Sequence, residues 1–179
     1  TPVRITIAHR IGGEKRDVSI VREIIEIKSV SLVEVIEEEI GYISMRQTRF
    51  SERTSEEVEQ AVRNLIIKNV KGIILDLRGN PGGLLTQATQ VADLFLPKGA
   101  PIVSIRERDG RRQETKASQR RPVGGNLPLV VLIDDSSASA SEIVAGAIQD
   151  NDRGVLIGTS SFGKGSVQTI FDLHEMAEN

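Results

Sequence analysis

The sequence predicts an α/β domain with a mostly parallel sheet and flanking helices. Three observations carry that expectation. Ile73–Leu77, Leu129–Ile133 and Val155–Gly158 are short apolar runs of strand length, suited to burial within a sheet. Segments with helical periodicity lie between strand-like runs, so the order strand, loop, helix, strand repeats along the chain. Each of the three runs also opens into a loop of breakers and small residues: Arg78–Gly83, Asp134–Ser141 and Thr159–Gly165.

Taken in order, Val3, Ile5 and Ile7 alternate with Arg4, Thr6 and Ala8. Val18 and Ile20 resume the alternation after a turn-like Gly12-Gly13-Glu14-Lys15, so a β-hairpin is expected. Two strands alone are marginal in water, and the hairpin should dock on the rest of the chain or belong to a domain cut upstream. Val33–Ile36 and Tyr42–Met45 read as two more strands. Thr54-x-x-Glu57 spells a capping box, and Val58, Ala61, Val62, Leu65 and Ile66 line one face of the helix it opens. Leu84–Leu96 reads as a second helix, ended by Pro97, and Ile102–Ile105 as a strand. The polar stretch 106–121 reads as a solvated hairpin and loop, its arginines diluted by Glu107, Asp109 and Glu114. Ile143–Gln149 continues as a helix, and Ser166–Leu173 is expected to form a last strand.

Bulk properties exclude several classes. The 179 residues carry a formal net charge of −2, which gives no electrostatic footprint for nucleic acid. Aromatic residues make up 3%, with no Trp, so stacking platforms for bases or sugars are not expected. There is no Cys, hence no disulfide and no thiolate metal site. His9 and His174 are the only histidines and stand far apart, which argues against a His-rich zinc site. No stretch reaches the roughly 20 apolar residues of a membrane helix. No signal peptide is visible, and a chain opening Thr1-Pro2-Val3 reads as a piece of a longer protein.

Chemistry is expected in the three loops, since functional groups gather beyond the carboxyl ends of strands in α/β sheets. A Ser in the middle loop would stand at a helix N-terminus, beside backbone N–H groups able to hold an oxyanion. Ser139-x-x-Glu142 also spells a capping box, so a plain cap is the competing role for both residues. A Ser nucleophile needs a base, and Lys164, flanked by Gly163 and Gly165, is the candidate within these loops. A Lys serves as base only where desolvation populates its neutral amine; otherwise it is an ordinary surface Lys. Gly158-x-x-x-x-Gly163-Lys164 begins a phosphate-binding pattern. Gly165 stands where that pattern needs Ser or Thr, and the residues after it are β-like.

Three segments then resemble the signatures of the carboxyl-terminal processing (tail-specific) Ser–Lys proteases. They are Asp76-Leu77-Arg78-Gly79-Asn80-Pro81-Gly82-Gly83, Ser137-Ala138-Ser139-Ala140-Ser141-Glu142, and Phe162-Gly163-Lys164-Gly165-Ser166-Val167-Gln168. Their order and spacing agree, and the resemblance runs from about residue 1 to about 173. It implies Ser139 as nucleophile, Lys164 as base and Gln168 as the group that orients the Lys. On a strand, residues 164, 166 and 168 would share a face. The implied oxyanion hole uses the Ala140 N–H and one from Gly82 or Gly83, with Glu142 and Asp150 in support. The reaction would pass through an acyl-enzyme without metal or cofactor, on unstructured polypeptides near their C-termini.

The resemblance further implies a core like that of crotonases and Clp peptidases over 28–179, truncated at its C-terminus. Residues 1–27 would be the last strands of a truncated PDZ domain, lacking its peptide-binding part. It implies an extracytoplasmic location, in the periplasm or cell envelope, and leaves any adaptor or homo-oligomer partner open. Two other classes compete. One is a catalytically incomplete fragment or pseudo-protease that binds peptides or partners. The other is an acyl-CoA enzyme on a crotonase-type core, suggested by fold analogy alone.

Overall fold

The computed structural model describes residues 1–8, 15–23, 28–37, 39–107 and 113–168. β1 (Pro2–Ala8) and β2 (Lys15–Val21) pair antiparallel as a separate two-stranded sheet, as the alternation predicts. The Gly12-Gly13 turn between them, and residues 24–27 after them, lie outside the described residues. β3 (Leu32–Ile36) and β4 (Ile40–Ser44) open the main domain as an antiparallel pair. After them come α1 (Thr54–Ile67), β5 (Gly72–Asp76), α2 (Leu85–Asp93) and the antiparallel pair β6 (Pro101–Arg106) and β7 (Gln113–Ala117). β8 (Leu129–Ile133), α3 (Ala140–Asp150) and β9 (Val155–Gly158) complete the set.

The central sheet is mixed, in the order β3-β4-β5-β8-β9. β4, β5, β8 and β9 run parallel, and β3 is their antiparallel neighbour at the edge. The parallel strands add in one direction along the sheet. With right-handed crossovers, α1, α2 and α3 therefore lie on one face. The register gives the two faces their character. Ile43, Leu75, Val131 and Leu156 form one cross-strand row, and the first three are fully buried under the helices. Tyr42, Ile74, Val130 and Val155 form the adjacent row on the opposite face; the first three are half-buried and Val155 is exposed. Val58, Val62 and Leu65 of α1, Ala88 and Val91 of α2 and Val144 and Ile148 of α3 fill a single core against the buried row.

Two local expectations fail, the first for an identifiable reason. α1 starts at Thr54 as predicted, but its capping box does not form. The Thr54 hydroxyl bonds to Ser51 and Ser29, while the Glu57 carboxylate accepts the N–H groups of Ser29 and Val30, both at 2.9 Å. The incoming chain crosses the helix N-terminus and brings its own unpaired donors, which the carboxylate satisfies there. The expected last strand also fails where it can be read, because residues 159–168 follow β9 without regular structure. The rest of that segment, 169–173, lies outside the described residues, as do Asp109-Gly110.

Leu65 marks the closest packing of helix on sheet. It is fully buried, and a Cβ at Gly41 in β4 would come 2.6 Å from its Cδ1 atom. Leu65→Ala is expected to lower the unfolding free energy by about 2–5 kcal/mol, read from chemical denaturation followed by circular dichroism.

Candidate active site

The loops after β5 and β8 are tied into one body. The Asp134 carboxylate accepts the Gly79 N–H at 2.8 Å, and the buried Ser137 hydroxyl donates to the Leu77 carbonyl at 2.9 Å. The Ala138 N–H donates to the Asn80 carbonyl at 3.0 Å. Burial works against ionised Asp134, but its bonds to Gly79, Ser136 and Ser137 outweigh that and hold its pKa below the ordinary carboxylate value. A second anchor sits at the end of β5. Fully buried Asp76 takes a bidentate grip from Arg78 and a 2.6 Å bond from the Tyr42 hydroxyl. Burial alone would raise the pKa of Asp76; these partners lower it instead.

Ser139 stands at the N-cap of α3 with φ 54° and ψ −110°. A non-glycine residue in that conformation is strained by about 1–3 kcal/mol, and such strain clusters at functional sites. The small neighbours Ala138, Ala140 and Gly82 make room for it. A Cβ at Gly82, whose φ is +89°, would lie 2.5 Å from the Ala138 carbonyl oxygen and 2.7 Å from the Ala140 nitrogen. The Gly82-Gly83 turn thus presses against the backbone of the Ser139 turn.

Glu142, one turn into α3, holds the conformation. Its Oε2 atom accepts the Ser139 N–H at 2.7 Å, as in the reciprocal cap that the sequence suggests. The same oxygen accepts the Lys164 N–H at 3.0 Å. Its Oε1 atom accepts the Ser161 hydroxyl at 2.8 Å and the Gly163 N–H at 2.7 Å. One carboxylate therefore joins the Ser139 turn to the loop that carries Lys164. Gly163 has φ +88°, and an added Cβ at Gly163 or Gly165 would touch nothing within 4 Å. The need at Gly163 is a left-handed backbone that turns its N–H onto Glu142.

The α3 face beginning at Ser139 forms one wall of an open groove of about 1290 Å³. Ser139, Glu142 and Asp150 line it from α3, Lys164 and Gln168 from the following loop, and Ile102–Glu107 from the β6 side. The structure so brings together five of the eight residues expected at the site. Lys164, Gln168 and Asp150 are exposed, and among the described residues no hydrogen bond joins the Lys164 amine to the Ser139 hydroxyl. Residues 164, 166 and 168 lie in irregular chain, so the strand-face reading of them does not hold.

Ala140, Gly82 and Gly83 lie at the loop junction beside Ser139. The Gly82 N–H is already bonded to the Asn80 side chain at 3.0 Å. Phe50 bonds on one side to the Gly82 carbonyl and on the other to the Leu84 N–H, a parallel bridge that turns the Gly83 N–H away from Phe50. Among the described residues, the N–H groups of Ala140 and Gly83 have no protein partner. Sequence reasoning gave no role to Asn80, Asp134, Ser137 or Ser161, although each sits in a flagged loop. Their partners lie up to 61 residues away, so only the fold reveals the roles.

The Glu142 clasp titrates in a defined direction. Burial opposes its charge, but the bonds to Ser161, Gly163, Ser139 and Lys164 prevail and its pKa is lowered from 4.5. A carboxylate whose folded pKa is depressed contributes stability that is complete above the unfolded pKa and is lost as pH falls through the folded one. Glu142→Gln is expected to destabilise the protein by on the order of 1–3 kcal/mol near neutral pH. The gap to the native protein should close as pH falls below about 4.5, in denaturation curves recorded from pH 7 to pH 3.

Comparison with known proteins gives the arrangement a lineage. Peptidase family S41 matches residues 39–178. A carboxy-terminal-processing protease of Bartonella bacilliformis is 47% identical over 183 residues, covering 98% of this chain and 40% of that one. The carboxy-terminal processing protease CtpA of Bacillus subtilis is 42% identical, covering 90% of this chain and 34% of that one. The chain thus spans less than half the length of these relatives. Among solved structures, a photosystem II D1 C-terminal processing protease superposes with a TM-score of 0.72 at 29% identity, over 95% of this chain and 47% of that one. The chain belongs to Peptidase family S41, that of the carboxy-terminal processing proteases.

Proposed function

We propose that this chain is the catalytic core of a serine endopeptidase that cleaves unstructured polypeptides near their C-termini, with Ser139 as nucleophile and Lys164 as general base. The observation that carries the reading is Ser139 itself. It is held in a strained backbone at a helix N-terminus, on the wall of a groove that Lys164 and Gln168 also line.

In this reading neutral Lys164 takes the proton of the Ser139 hydroxyl as its oxygen attacks the peptide carbonyl. The C–N bond breaks as the protonated Lys gives its proton to the leaving amine. Water, deprotonated by the same Lys, then hydrolyses the acyl-enzyme. The carbonyl oxygen, as its negative charge develops, lies between the N–H groups of Ala140 and Gly83. Gly83 is the donor rather than Gly82, whose N–H is held by Asn80. Glu142 acts on the backbone of both catalytic segments rather than on substrate, and its charge is matched there by N–H and O–H donors. Gln168 orients the Lys164 amine, and Asp150 supports the far end of the groove.

The β1–β2 hairpin belongs, in the same reading, to a PDZ domain that precedes the core, with the boundary near residue 27. In the same reading the protein works outside the cytoplasm, in the periplasm or cell envelope, a placement that family resemblance supports. Among the described residues no helix is long and apolar enough to cross a membrane.

A second reading has a specific observation behind it. Lys164 is exposed and not bonded to Ser139, as in a peptide-binding module without activity. Mass spectrometry of an unstructured polypeptide with an apolar tail separates the two. It is run on this chain and on one extended at both ends to the length of the relatives. Cleavage by the extended protein that falls by at least about 10³-fold in both Ser139→Ala and Lys164→Ala supports the dyad. Binding without cleavage by the folded extended protein supports the module.

A further inference from the structure

Asn80 is the residue through which the glycine turn and the Ser139 turn are joined. It is fully buried, and each of its polar groups has a protein partner. Its N–H donates to the Leu77 carbonyl at 3.1 Å. Its side-chain Nδ2 donates to the Met45 carbonyl at 2.8 Å, just beyond the end of β4. Its Oδ1 accepts the Gly82 N–H at 3.0 Å and faces the Ser141 hydroxyl at 3.1 Å. Its own carbonyl accepts the Ala138 N–H and the Ser141 hydroxyl, both at 3.0 Å.

That geometry has two consequences. Ala138 and Ser141 bracket Ser139 and Ala140, so the strained segment is pinned on both sides to one residue of the opposite loop. And the side chain that binds the Gly82 N–H removes it from competition, leaving the Gly83 N–H as the uncommitted donor of the turn. A buried amide that is fully bonded fixes one arrangement, because any other leaves a polar group unsatisfied. We propose that Asn80 is a positioning residue for catalysis: it sets the distance between the Gly83 and Ala140 N–H groups and determines that Gly83, not Gly82, completes the oxyanion site. The proposal rests on the peptidase reading given above. Asn80 touches no substrate in it, and acts through the two donors alone.

A positioning role predicts a selective loss. In the full-length protein, Asn80→Ala is expected to lower kcat by about 10²–10³-fold, the loss seen when an oxyanion donor is removed, with KM changed less than threefold. A peptide boronic acid, which forms a tetrahedral adduct on the Ser hydroxyl, should lose affinity by the same factor as kcat. The corresponding peptide with an unreactive terminus, titrated on a Ser139→Ala background, should bind equally well with or without Asn80→Ala. Ser141→Ala removes only the hydroxyl clamp and should lower kcat and boronate affinity together by about tenfold; it decides the matter if Asn80→Ala does not fold. Folded variants that keep kcat and boronate affinity, or that lose peptide and boronate affinity alike, would overturn the proposal and make Asn80 a structural residue only. A wild-type protein that takes up no boronate and whose Ser139→Ala variant cleaves undiminished would overturn the peptidase reading as well, so the two failures are told apart.

Discussion

The backbone of Ser139 is the constraint on which the rest depends. A left-handed residue with a side chain is not stable on its own terms, and something must hold it. Here the holding is done from three directions. Glu142 takes its N–H from within the same helix, Asn80 takes the N–H of the residue before it, and the Gly82-Gly83 turn packs against the residue after it. Each restraint has its own sequence requirement: a carboxylate one turn into α3, a buried amide in the β5 loop, and a residue without Cβ at position 82. The strained serine and the glycine turn are therefore packed as one feature, since a Cβ at position 82 would collide with the backbone on either side of Ser139.

The sheet makes this meeting possible. β5 and β8 are parallel neighbours with Leu75 opposite Val131, so the chain leaves both at the same level and on the same side. Two loops that leave adjacent parallel strands together have little choice but to interact. Their backbone polar groups, sheltered from water, must find partners in each other. Asp134 to Gly79, Ser137 to Leu77 and Ala138 to Asn80 are that solution. β9 continues the parallel set, which delivers the Lys164 loop to the same end of the sheet, where Glu142 gathers it. The site is thus assembled from three successive parallel strand ends, as fold topology anticipates.

How much of the structure is legible in the sequence depends on the range of the interaction. β8 and β9 are readable to the residue, because Leu129–Ile133 and Val155–Gly158 are apolar runs cut off by Asp134 and Thr159. α3 begins three residues before the predicted Ile143. Its first turn, Ala140-Ser141-Glu142, has no apolar periodicity and owes its helicity to the cap and to the packing of Ala140. β7 is polar apart from Ala117, so the stretch is readable as a solvated hairpin while the strand's bounds, lacking an apolar alternation, are not. At Thr54 the local pattern is present but loses to a tertiary partner, since Ser29 and Val30 compete for the Glu57 carboxylate. The candidate residues themselves come from motif resemblance. Spacing alone offers Ser139 as a cap and Lys164 as a surface charge, and no pattern in the sequence announces a positive φ at a serine.

The two uses of carboxylates in this chain show why a motif underdetermines a role. Thr54-x-x-Glu57 and Ser139-x-x-Glu142 are the same local pattern at the start of a helix, and they diverge completely. Glu57 is drawn to the irregular segment that leads into β3 and gives up the cap. Glu142 keeps the cap and reaches out to a loop some twenty residues ahead. The difference lies in which unpaired N–H groups the fold delivers to each helix N-terminus, where a negative charge is already favoured. At α1 the donors belong to a passing segment and the result is a structural joint. At α3 they belong to the segment that carries the lysine, so the same electrostatics that stabilise a helix end also fix the relation between the two groups on which the proposed chemistry depends.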